Sequence, residues 1–259
     1  LWRAGAGSRS RVMEFSLLFF AVAGAAAFFV GASKGGLPMV GVLGVPLLAL
    51  VMPPVAAAAL LLPVYIVSDM VGLWAYRKEY SPRNLAILIP AMVFGVGLGW
   101  ATARITEEWM VTLLVGVIGL YYCITVVFRN TRAPPRPADI PRGVFWGMIA
   151  GFTSFVSHTG GPPYQAYVLP QKLPKMMFAG TSTIVFAVIN LVKLVPYWAL
   201  GQFNPGNLEV AAMLSPIAVA GALIGYKLTT VIPEKLFYRV VEAALFLISL
   251  KLIYEALFT

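Results

Sequence analysis

Apolar residues run along this chain in blocks of about twenty, and the blocks are parted by short stretches rich in Arg, Lys, Pro, Gly and Asn. A block of that length crosses roughly 30 Å of hydrocarbon as an α-helix. Residues 14–32, 54–76, 84–103 and 109–128 in the first half, and 176–199, 207–229 and 236–258 in the second, therefore predict transmembrane helices. Two further apolar stretches, 143–157 and 162–170, fall short of the roughly 17 residues a span needs. They predict the arms of a re-entrant hairpin.

The apolar pattern is interrupted by glycine at two matching places, Ser33-Lys34-Gly35-Gly36-Leu37-Pro38 and His158-Thr159-Gly160-Gly161-Pro162-Pro163. Gly and Pro stop helices and free backbone amides and carbonyls. Inside a bilayer that is tolerated only where the freed groups line a cavity or meet protein. The two breaks thus mark a solute pathway. Glycine pairs also let helices pack closely, but breaks at equivalent positions, one with a lysine and one with the only histidine, favour a site.

The halves match beyond the breaks. Trp74-Ala75 lies over Trp198-Ala199, Ser81-Pro82-Arg83-Asn84-Leu85 over Asn204-Pro205-Gly206-Asn207-Leu208, Gly95 and Gly99 over Gly221 and Gly225, and Glu108 over Glu234. Such coincidence of turn, capping and small residues is an internal repeat, the usual construction of secondary transporters. The repeats fall at 13–129 and 142–259, with a cytoplasmic linker at 130–141.

Charge sets their relative orientation. The stretch 77–83 nets +2, 129–142 nets +3, 171–175 nets +2 and 227–239 nets +2, which together equal the net charge of the whole chain, +9. The connections at 104–108 and 200–209 each net −1. Basic loops stay cytoplasmic, so four of them on one side fit a repeat of one broken hairpin plus three spans. That odd count inverts the second copy and leaves both termini outside. The fold class expected is an all-α polytopic membrane protein with two inverted repeats. Eight full spans in two parallel repeats is the rival; it accommodates Arg3, Arg9 and Arg11 better but puts Lys172, Lys175, Lys227, Lys235 and Arg239 outside. The first twelve residues carry no functional weight in either reading.

Composition agrees with a bilayer protein: 60% of residues are hydrophobic, 11% are charged and the mean hydropathy is +0.85. The positive charge punctuates the spans instead of clustering on a solvated face, which argues against nucleic acid. One cysteine, Cys123, and one histidine, far apart, give no intrachain disulfide and no zinc ligand set. No cofactor is expected. A homodimer is compatible with the composition, though no exposed pairing motif marks one.

Helix starts at Gly36 and Gly161 would aim N–H groups and partial positive charge at an anion. Lys34 adds a full charge beside Gly35, and Ser33, Ser157 and Thr159 add hydroxyl donors, which suit an oxyanion whose oxygens all accept. His158, whose ordinary titration lies near neutral pH, suits anion contact or a coupled proton. Asp69 and Lys193 hold equivalent positions within spans, where charge is costly unless paired or facing a cavity. They would pair with each other or flank the pathway, and Lys193 has snorkelling beside Pro196-Tyr197-Trp198 as its plainer role. Thr181, in Gly180-Thr181-Ser182-Thr183, brings hydroxyls toward the second hairpin; Gln165, Tyr164 and Asn190 are weaker candidates.

Gly31-Ala32-Ser33-Lys34-Gly35-Gly36, Gly151-Phe152-Thr153-Ser154-Phe155, the His158 to Pro163 run and Tyr167-Val168-Leu169-Pro170-Gln171 together resemble the TauE/SafE family of sulfite and organosulfonate exporters. The resemblance covers nearly all of residues 14–258. It implies a duplicated bacterial inner-membrane carrier that exports sulfite, sulfoacetate or a related small anion and is not an enzyme. The chain departs from the commoner glycine triplet by Lys34 before the first pair and Pro162-Pro163 after the second. It has no Gly-rich phosphate loop with Lys-Ser/Thr, which argues against ATP coupling within the chain. A passive anion channel would use the same residues. An intramembrane hydrolase, with His158 activating Ser154 or Ser157, lacks a nucleophile elbow.

Overall fold

The computed structural model describes residues 17–38, 40–103, 105–128, 134–203 and 205–258. The first twelve residues and part of the 130–141 linker lie outside the described residues. The described chain is helical: α1 (Leu17–Lys34), a 3-10 turn (Val40–Leu43), α2 (Gly44–Ala49), α3 (Pro54–Ala75), α4 (Pro82–Thr102) and α5 (Glu108–Phe128) in the first half. The second half repeats the order as α6 (Ile140–Ser157), α7 (Gly161–Val168), a 3-10 turn (Leu169–Gln171), α8 (Lys175–Ala199), α9 (Pro205–Val231) and α10 (Glu234–Phe258). The short stretches expected as hairpin arms are α6 and α7, and the first half holds the corresponding hairpin in α1 and α2.

Helix starts carry the expected local chemistry. Ser81 Oγ accepts the Asn84 N–H at 3.4 Å and Asp139 Oδ1 accepts the Arg142 N–H at 3.0 Å, each with a proline in the first turn, where a missing N–H costs nothing. Five helices, α1, α3, α4, α8 and α9, are long and apolar enough by composition to cross a membrane. For α5 the shorter run Trp109–Ile124 qualifies as apolar, and α10 carries Glu242, Lys251 and Glu255.

Glycine sets the closest packing. A Cβ at Gly31 would lie 1.8 Å from Ala218 O, and one at Gly151 would lie 2.0 Å from Met92 O, so α1 meets α9, and α6 meets α4, backbone to backbone. Gly221 faces Phe28 and Gly225 faces Ala32; Gly95 faces Met148 and Gly99 faces Phe155. The first arm of each hairpin therefore packs on the fourth helix of the other half. Gly31 and Gly151 occupy the same position in this exchange.

The equivalent helices α3 and α8 run antiparallel, since Asp69 bonds Asn190, Gly72 faces Thr183 and Gly180 faces Glu79. Helices α5 and α10 do the same, with Gly116 at Ile253, Gly119 at Ser249 and Cys123 Sγ reaching Glu242 O. The basic connections, by contrast, touch one another. Arg83 Nε donates to Ala138 O at 2.6 Å, Arg136 N to Pro170 O at 3.0 Å and Lys175 Nζ to Thr230 O at 2.9 Å. Asn84 and Gln171 exchange amide bonds at 2.9 and 3.1 Å, and Tyr238 Oη donates to Leu173 O. All four basic connections are thus tied together at one end of the bundle.

Candidate functional site

The two hairpins meet at their tips, where a Cβ at Gly161 would stand 3.5 Å from Val42 Cγ2. Beside this contact is a cavity of about 50 Å³ whose walls include Lys34, Tyr65, Ser154, His158, Ser182 and Asn190. One water centre needs about 10–15 Å³, so the space suits a small solute or a few waters.

Each tip is shaped by its helix stop. At the first, Gly36 has φ +110, Leu37 N–H bonds Ala32 O and Gly36 N–H bonds Ser33 O, both at 3.3 Å. This is a Schellman stop, whose left-handed residue is normally Gly. At the second, His158 itself takes the left-handed conformation, φ 56, as the cap of α6. The anion cradle expected at the second helix start is narrower than a full turn of amides. Pro162 and Pro163 have no N–H and Tyr164 N–H bonds Gly160 O at 3.2 Å, which leaves the Gly161 amide.

Three charged side chains are buried among the described residues: Lys34, Asp69 and Lys193. Lys34 Nζ lies 2.8 Å from Asp69 Oδ1, and Asp69 Oδ2 accepts Asn190 Nδ2 at 2.8 Å. The same ammonium stands 5.1 Å from the centre of the Tyr65 ring and 5.9 Å from that of Phe186, within cation–π range. Lys193 is fully buried, and its Nζ reaches Ser154 O at 3.1 Å, Ser154 Oγ at 3.3 Å and His158 Nδ1 at 3.1 Å. Among the described residues no carboxylate pairs with it.

The hydrogen-bond directions fix how His158 is used. Tyr197 Oη donates to Phe155 O at 3.2 Å, so it accepts from His158 Nε2 at 3.1 Å. Nδ1 is then the acceptor of the Lys193 ammonium, which makes this imidazole neutral with its proton on Nε2. The ring also stacks on Tyr65 with centroids 5.2 Å apart and planes 6° from parallel.

A tyrosine hydroxyl binds a backbone carbonyl near each tip. Tyr76 Oη, at the end of α3, donates to Gly35 O at 2.7 Å, with Thr229 Oγ1 on the same carbonyl at 3.3 Å. Tyr197, near the end of α8, makes the corresponding bond to Phe155 O. Counting four residues on from Gly31 and Gly151 gives Gly35 and Phe155, so the two tyrosines hold equivalent carbonyls. Tyr76 adjoins the basic stretch 77–83, and Tyr197 adjoins the acidic connection 200–209.

Of the candidate site residues named from sequence, Ser33, Lys34, His158, Gly161 and Asn190 line the cavity. Gly35, Gly36 and Gly160 serve the turns and close contacts. The Ser157 and Thr159 hydroxyls bond each other at 2.6 Å, and Gln165 is buried within α7 away from the walls. Thr181 also faces away. Its hydroxyl donates to Met177 O at 2.6 Å and accepts Ser81 N–H at 2.9 Å, while its neighbours Ser182 and Thr183 take the wall. Asp69 and Lys193 form no direct ion pair with each other, because the hairpin ends supply nearer partners, and Lys193 is buried within the bundle instead of snorkelling. Tyr65 and Phe186 were not singled out, although each lies on the helical face of a buried charge: Tyr65 four residues before Asp69, Phe186 seven before Lys193.

The family model described as Sulfite exporter TauE/SafE matches residues 20–252. No curated protein and no solved structure matches the chain.

Proposed function

The chain belongs to the sulfite exporter TauE/SafE family, a family of membrane transporters and not of enzymes, and on that premise we propose that the cavity between the two hairpin tips is its anion site. The observation that carries this reading is Lys193. A buried ammonium is costly unless a charge partner or full hydrogen bonding compensates it, and here Ser154 and His158 offer only neutral acceptors. A sulfur oxyanion in the adjoining cavity supplies the missing negative charge. Lys34, Ser182 and the Gly161 amide are donors within reach of the same space, while the Thr183 hydroxyl donates to Lys34 O at 3.1 Å.

The cargo is a small sulfur oxyanion, sulfite or an organosulfonate, carried by alternating exposure of the cavity. The antiparallel run of α3 against α8 and of α5 against α10 supports inverted repeats, 13–129 and 142–259. The single end that gathers the four basic connections is then the cytoplasmic face of a bacterial inner membrane. Tyr76 closes the cavity toward that face and Tyr197 toward the other.

The test is uptake of radiolabelled sulfite into proteoliposomes by wild type, Lys34→Met and Lys193→Met, with unlabelled thiosulfate, sulfoacetate and sulfate as competitors. The expected result is saturable flux in the wild type that falls at least about tenfold in Lys193→Met, the equivalent of about 1.4 kcal/mol. Flux that never saturates would favour a channel. Equal flux in wild type and both variants would remove the site.

A further inference from the structure

We infer that the cavity selects anions by charge number and takes a monoanion, such as hydrogen sulfite or a monosulfonate, in preference to a dianion of the same shape. This rests on the anion-site reading above and adds a charge rule to it. The elements that wall the cavity bring few titratable groups to it. Lys34 of α1, Tyr65 of α3 and His158 at the end of α6 line it, Asp69 and Lys193 stand directly behind Lys34 and His158, and α7 and the 3-10 turn with α2 contain no charged residue.

The charge count follows from the contacts. Asp69 touches Lys34 at 2.8 Å, so these two cancel. Asn190 donates to the second carboxylate oxygen at 2.8 Å. His158 donates from Nε2 to Tyr197 and accepts at Nδ1, so it is neutral. Lys193 is a second ammonium near this one carboxylate. In their ordinary ionisation the four groups sum to a single positive charge, which one negative charge brings to neutrality.

A second negative charge has no counterpart. The hydration lost on entry grows roughly with the square of an ion's charge, while its attraction to a site of net charge one grows only in proportion to that charge. A dianion therefore loses more hydration on entry. Tyr65 and Phe186 add apolar wall, which suits the carbon end of a sulfonate better than a fourth anionic oxygen. Size does not make the distinction, because sulfate and a small sulfonate share one tetrahedral shape.

The experiment compares methanesulfonate with sulfate, nearly isosteric ions that are a monoanion and a dianion at neutral pH. Thermal unfolding of the full purified chain in detergent is followed at matched ionic strength while each ion is titrated in, since a ligand that binds the folded state raises the melting temperature with concentration. Methanesulfonate is expected to raise it with an apparent Kd at least about tenfold lower than that of sulfate. Lys193→Met is expected to abolish the methanesulfonate shift. Sulfate binding as tightly as methanesulfonate would overturn the charge rule and leave the anion site standing. Neither ion shifting the melting temperature would overturn both, as would a wild-type response in Lys193→Met. If Lys193→Met does not fold, the comparison of the two ions on the wild type still decides the charge rule.

Discussion

Replacing Asp69 with Asn removes one charge and almost no volume, so its effect isolates the buried ion pair. The carboxylate is buried, 2.8 Å from Lys34 Nζ and 2.8 Å from Asn190 Nδ2. In Asp69→Asn the amide oxygen still accepts from Asn190, but Lys34 keeps its charge without a partner. Removing one member of a buried pair costs about 3–5 kcal/mol, whereas removing both is often neutral. For a chain of this size each kcal/mol moves the melting temperature by about 2–4 °C, so Asp69→Asn is expected to melt about 6–20 °C below wild type. Lys34→Met, which strands the carboxylate instead, is expected to fall by a similar amount. The double variant should melt above either single one, with a coupling energy of up to about 3 kcal/mol. Differential scanning fluorimetry of the four purified proteins in one detergent measures this cycle. Strictly additive losses, or an unchanged melting temperature in Asp69→Asn, would refute the pair as a stabilising contact.

Gly31→Ala places a methyl 1.8 Å from Ala218 O with backbone on both sides, so it is expected to lose at least about 1–3 kcal/mol. Gly97→Ala, with nothing within 4 Å, is expected to gain up to about 1 kcal/mol from helix propensity; the same melting assay separates them. In a Cys123→Ala, Ser182→Cys background, Tyr76→Phe should speed labelling by an impermeant thiol reagent from the basic face and Tyr197→Phe from the opposite face. Equal effects from both faces would dismiss the two tyrosines as latches. At the α6 start, the Arg142 side chain bonded to Asp139 holds that carboxyl below the usual carboxylate range. Its contribution is therefore present above the unfolded value, about 3.9, and is lost as pH falls through the folded one. Asp139→Ala should lower the melting temperature at pH 7 by the equivalent of about 0.5–2 kcal/mol, and the gap to wild type should close below about pH 4.

The helices were legible in the sequence because length and hydropathy decide them, and the second hairpin because α7 is too short to span and prolines mark its start; the arms of the first were not, since 14–32 is long enough to read as a span and α2 has only six residues. Partner choice within the site was not legible. Aligning the glycine pairs sets Gly35-Gly36 over Gly160-Gly161 at an offset of 125. The packing instead equates Gly31 with Gly151, an offset of 120, since both press on the carbonyl of a crossing helix. The second break holds about five more residues, and only the crossing helices reveal where they are inserted. With the packed register, Lys34 is equivalent to Ser154, and Asp69 remains equivalent to Lys193.

That register explains why Asp69 and Lys193 form no direct ion pair. Each half carries one polar bridge between its hairpin and its third helix: Lys34 to Asp69 in the first, Ser154 to Lys193 in the second. An ion pair in one copy corresponds to a serine and a lone ammonium in the other. Two copies of the first bridge would leave the centre neutral, and two copies of the second would double its positive charge. On the proposed anion-site reading, this divergence of two positions between the repeats is what leaves one net positive charge beside the cavity. The left-handed cap then places His158 Nδ1 against the ammonium that this divergence left without a carboxylate.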